Sequence, residues 1–166
     1  MDPFDCQGAD DFVIPAGVSW SITGATFPGT YLPSSTPMTA INVTFYNDAA
    51  GLPGTVACSY PNTPPAADVA GLITVDLTST PCDLSSGTYW VSAQTRMDSA
   101  VEGQWLWNGV TVGFNTAAKW QNPGNGFGTG CLTWTDLLTC LDGDPGFAFQ
   151  LTGSAVPVEL QRFTVE

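Results

Sequence analysis

The chain is predicted to be an all-β domain, a two-sheet antiparallel sandwich or jelly roll of about eight or nine strands. Three observations predict it. Short runs alternate apolar and polar residues with a period of two, Gly/Pro-rich turns separate those runs, and no amphipathic helix of useful length interrupts them. A closed barrel has the same sequence pattern and is the alternative.

The first strands are DFVIP, with Phe12 and Ile14 facing inward, and GVSWSITGATF, with Val18, Trp20 and Ile22 on one face; Pro15-Ala16-Gly17 turns between them. TAINVTFYND sets Ile41, Val43 and Phe45 against Asn42, Thr44 and Tyr46. LITVDLT does the same with Ile73, Val75 and Leu77. In GTYWVSAQTRM, Tyr89, Val91, Ala93, Thr95 and Met97 share the inner face, leaving Trp90, Ser92, Gln94 and Arg96 outward. GQWLWNGVTVG, FAFQLTG and VPVELQRFTVE continue the series. TWTDLLTC reads as a short helix or an irregular turn. One sheet cannot bury its apolar face alone, so two must pack together. Residues 1–8 read as an N-terminal extension and 9–166 as one domain, with 156–166 its last edge strand or an exit segment.

Composition narrows the chemistry. The 166 residues include 15 Asp and Glu against Lys119, Arg96 and Arg162, a net charge of −12. Such a chain repels a phosphate backbone or an anionic membrane, so neither nucleic acid nor membrane insertion is expected. Only 11% of residues are charged, against about 25% in an ordinary soluble domain, so the surface is built mainly from Ser, Thr, Asn, Gln and Gly. Histidine is absent, which removes Ser-His-Asp and Cys-His catalysis and His-based zinc sites. The opening MDPFDCQGADD has neither the basic segment nor the apolar run of a signal peptide.

The five cysteines have no metal-type spacing such as CxxC. Cys131 with Cys140 and Cys58 with Cys82 are the natural disulfide pairs; other pairings and reduced thiols remain open, and Cys6 is left over. Together with the polar, charge-poor surface, these pairs point to an oxidising setting, secreted or at the bacterial cell surface.

Six tryptophans are a heavy load for this length. Trp90, Trp105, Trp107 and Trp120 are the candidate ligand-binding residues, because aromatic rings on a sheet face stack on sugar rings. Core packing is the plainer account of such large rings. No cofactor is required, although LDGDPG places Asp142 and Asp144 two apart in a turn, a partial calcium site. Asp98 and Glu102 form a candidate carboxylate pair for glycoside hydrolysis, which would require them to flank a cleft. GNGFGTG lacks the GK[ST] ending of a phosphate loop; its glycines instead allow tight backbone packing beneath Trp120 and Phe127.

ADDFVIPAG, INVTFYNDAAGLPG, LSSGTYWVSAQ, GQWLWNG and AAKWQNPGNGFGTGC…TWTDLLTC together resemble a recurring domain of secreted or surface-anchored bacterial proteins over residues 9–153. The resemblance implies a noncatalytic extracellular β-domain without catalytic residues, and it matches Cys131 and Cys140 to the family's tied loop. Cys6, Cys58 and Cys82 depart from it, as does an end at Glu166 without an anchor. The expectation is therefore a noncatalytic structural or adhesive module, partnered by other domains or copies of itself and able to assemble through edge strands. A carbohydrate-binding module, with surface polysaccharide as its partner and calcium as a stabiliser, is the alternative. A carboxylate-dependent hydrolase is the third reading.

Overall fold

The computed structural model describes residues 3–157 and is almost entirely β. One sheet has six strands in the order β13 (Thr135–Asp136), β12 (Lys119–Gln121), β1 (Gln7–Ile14), β9 (Gly87–Thr95), β4 (Ile41–Asp48), β5 (Pro53–Thr63). The other runs β15 (Gln150–Pro157), β2 (Val18–Phe27), β7 (Leu72–Asp76), β6 (Ala67–Val69), with β8 (Cys82–Leu84) also paired to β2. Two ribbons complete it: β10 (Trp105–Trp107) with β3 (Gly29–Tyr31), and β11 (Gly109–Val110) with β14 (Gly146–Phe147). The pairings are antiparallel throughout.

The alternating faces meet where the pattern places them. Phe12, Ile14, Ile41, Val43, Phe45, Tyr89 and Val91 from the first sheet pack with Ile22, Phe27, Ile73, Val75 and Leu84 from the second. Phe45 and Phe27 are fully buried, and truncating either to Ala costs about 3–5 kcal/mol in a core this closely packed. Cys58 on β5 and Cys82 on β8 form a disulfide that ties the two sheets across the core.

One expectation is corrected and three details are added. The described strands number fifteen rather than eight or nine, because short two- and three-residue ribbons carry no periodicity for a sequence pattern to detect. β1 begins at Gln7, within the segment 1–8 that the sequence reads as an extension. The apolar alternation of β2 does not run unbroken. Opposite β15 the pairing passes from Gly24↔Thr152 to Ile22↔Gly153, leaving Thr23 as an extra residue, and Ala25 and Phe27 become the buried positions beyond it. Finally, Gln150 and Leu151 open β15, the last described strand, which ends at Pro157; the rest of the 156–166 segment lies outside the described residues.

TWTDLLTC forms a strand edge followed by the one-turn helix α1 (Leu137–Leu141). It ends at Asp142, which adopts a left-handed conformation with φ of 49°. The Cys131–Cys140 disulfide closes over this turn. A second, smaller apolar cluster of Ala118, Trp120, Cys131 and Leu137 forms around it. No helix among the described residues is long and apolar enough to cross a membrane.

Candidate functional site

Three of the four singled-out tryptophans come together. Trp105, Trp107 and Trp120 line one cavity of about 340 Å³, with Phe127 and Phe147 as further aromatic walls. Gln94 and Gln104 also line it, among surroundings that are mostly apolar. A cleft of apolar walls with a few polar groups is the usual build of a small-ligand site.

Trp105 and Trp107 are each held by a hydrogen bond to the backbone, and Trp120 by a ring contact. Trp105 Nε1 donates to the Gly71 carbonyl at 2.9 Å, and its ring lies on Gly29, where an added methyl would overlap it. Trp107 Nε1 donates to the Ala148 carbonyl at 2.6 Å, while its ring stacks on Phe147 at 4.4 Å between centroids. Trp120 meets Phe127 edge to face at 6.0 Å, and Phe127 in turn meets Phe4 at 5.3 Å. With the Trp105 and Trp107 N–H groups satisfied, these two rings meet the cavity as apolar surface.

The glycine-rich stretch builds the rim. Asn122 is fully buried; its Nδ2 donates to the Pro3 carbonyl at 2.8 Å and the Asp5 carbonyl at 3.2 Å, and its Oδ1 accepts from the Phe127 amide at 3.2 Å. One side chain thus fastens the N-terminal segment to the turn bearing Phe127. Gly126 passes so close to Pro3 and Phe4 that a Cβ there would collide with their atoms. Cys6 has no disulfide partner and lines the same cavity, and burial pushes its thiol up.

Trp90 is elsewhere. It was expected on the outer face of its strand, and it is on that face, yet it is wholly buried. Lys119 lies 5.7 Å above its ring and Asp48 Oδ1 accepts from its Nε1 at 2.9 Å, so a second layer covers what alternation alone leaves outside. Trp107 is half-buried, whereas Trp105 and Trp120 are buried.

The acidic candidates serve the backbone. Glu102 accepts from the Asp98 amide at 2.7 Å and Asp98 from the Ala100 amide at 2.9 Å, so both carboxylates cap one exposed turn rather than facing each other across a cleft. Asp142 ends α1, and Asp144 packs beneath Gly109. Among the described residues, no three His, Cys, Asp or Glu side chains gather closely enough to hold a metal ion.

The acids with raised carboxyls are the neighbours Asp10 and Asp11 on β1. Asp10 lies almost fully buried in a second groove of about 670 Å³, and burial pushes its carboxyl up to about 7. The Phe147 and Asp11 amides donate to it at 2.7 and 2.9 Å, which opposes that rise. Burial likewise raises Asp11, which accepts from the Thr116 amide at 3.2 Å. Gln94, Phe127 and Phe147 complete the cleft beside the expected tryptophans, and Asn122 holds the Phe127 turn in place. Asn122 and Phe127 lie in the glycine-rich stretch already noted, but nothing in the local text shows that they would meet Phe4.

No family model matches the chain, and no curated protein does either. Among solved structures it is similar to the cysteine protease and lectin-like domains of Cwp84, a surface layer associated protein of Clostridium difficile, with a TM-score of 0.54 and 11% identity. The similarity covers 88% of this chain and 31% of that one. At so low an identity it is a likeness of fold alone, and it agrees with the all-β architecture.

Proposed function

We propose that the chain is an extracellular, noncatalytic recognition module of a bacterial surface or secreted protein, and that its aromatic cleft binds carbohydrate. The observation that carries this reading is the convergence of Trp105, Trp107, Trp120 and Phe127 on one cavity, with Gln94 and Gln104 beside them. Indole and phenyl rings match the C–H face of a pyranose, and amides match its hydroxyls. The net charge of −12 favours a neutral sugar over a uronic or sialic acid. Two disulfides support an oxidising location. The fold likeness to a chain that includes a lectin-like domain is in keeping with it.

Assembly through edge strands has less support. The outermost strand β5 is broken by register shifts against β4 and contains Pro53 and Pro61, devices that discourage pairing with another chain.

A glycan array spanning neutral, amino and acidic oligosaccharides tests the proposal, followed by titration of any hit against Trp107→Ala and Phe127→Ala. Each replacement is expected to weaken binding by about tenfold or more, roughly 1.4 kcal/mol. Binding to no glycan, or equal binding by both variants, would overturn it.

A further inference from the structure

Lys119 is among the most enclosed charged side chains in the molecule, at 5% exposure. It sits on β12 directly opposite Asp136 of β13 in the strand register, and its Nζ pairs with Asp136 Oδ1. The Trp90 ring lies 5.7 Å beneath the same nitrogen, shielding it from water. The buried Lys119 ammonium carries a desolvation penalty that its half-exposed partner offsets only in part, and that penalty disappears if the two charges are lost together. Two buried acids, Asp10 and Asp11, follow Ala9, the register partner of Lys119, along β1; the Lys119 charge acts on Asp10, and burial holds both carboxyls above their ordinary range.

We propose that Lys119 and Asp136 are joined by an intramolecular isopeptide bond in the folded protein. The Lys119 ammonium passes one proton to the Asp136 carboxylate, and the neutral amine attacks Cγ. The tetrahedral intermediate then expels the hydroxyl with a second nitrogen proton as water. One N–C bond forms and one C–O bond breaks, and no oxidant, reductant or co-reactant enters. Asp136 is half-exposed, so the released water has a path out. The new link would close the β12–β13 pairing around the Cys131–Cys140 loop, adding a redox-independent tie to the disulfide.

Mass spectrometry of the reduced, unfolded wild-type chain tests this directly. Basic residues occur only at Arg96, Lys119 and Arg162, so trypsin should release residues 97–119 and 120–162 separately if Lys119 is free. The bond predicts no cleavage after Lys119 and a single 97–162 fragment lighter than its sequence by one water. Asp136→Ala should restore both cleavage after Lys119 and the full mass. Lys119→Arg should restore the full mass as well, which separates the bond from water loss by succinimide formation at Asp142-Gly143. Complete cleavage after Lys119 in the wild-type chain, or a water deficit that persists in Lys119→Arg, would overturn the proposal.

Discussion

The Phe147 amide donates to Asp10 Oδ2 at 2.7 Å, fastening β14 to β1 behind the ring that stacks on Trp107. This contact joins a buried acid to the aromatic wall of the cleft. Because burial raises the Asp10 carboxyl from 3.8 to about 7, the folded state favours its protonated form. Its contribution to stability is complete below about 3.8 and is lost as pH rises through about 7. The unfolding free energy from denaturant titration should therefore fall between pH 5 and pH 8, by on the order of a few kcal/mol at most. Asp10→Asn should flatten that slope, and an unchanged slope would show that other groups set it.

The Cys58–Cys82 bridge crosses from β5 to β8 and closes a separation of 24 residues. Replacing both by Ala should lower unfolding stability by about 3–4 kcal/mol through loop entropy, with a further loss because Cys82 is wholly buried. Urea denaturation of the double variant measures this.

Asn122→Ala should cost about 1–3 kcal/mol, since it leaves buried carbonyl and amide partners unpaired. It should also release the N-terminal segment. Amide hydrogen exchange is expected to accelerate over residues 4–8 and at Gly126, whose amide bonds to the Pro3 carbonyl. Exchange at the β4 centre should stay as slow as in the parent.

Gly29→Ala places a methyl inside the volume of the Trp105 ring. The ring must shift, at a cost of about 1–3 kcal/mol. The displaced indole should alter intrinsic fluorescence and weaken any ligand held by the cleft.

What was legible in the text follows from where the physics is local. The alternation in INVTFYND and TYWVSA reports directly which side of a strand meets the core, and Val43, Phe45 and Val91 are buried as it requires. Trp90 was misjudged because its cover, Lys119, comes from a strand 29 residues later, and no periodicity carries that information. The pairs Cys58–Cys82 and Cys131–Cys140 were the natural ones by spacing, and both form. The cleft itself was invisible, since Phe4, Trp105 and Trp120 meet only after three separate segments are folded together. Asp10 and Asp11 are adjacent acids in the sequence, and only the packing of Phe147 and Thr116 over them reveals their burial.

The most direct test of the recognition account is an NMR titration with a neutral oligosaccharide, following the six indole N–H resonances. The account predicts saturable shifts at Trp105, Trp107 and Trp120, with Trp90 and Trp20 unmoved. Saturable binding that instead moves Trp134, or no shift at any indole at millimolar sugar, would contradict it.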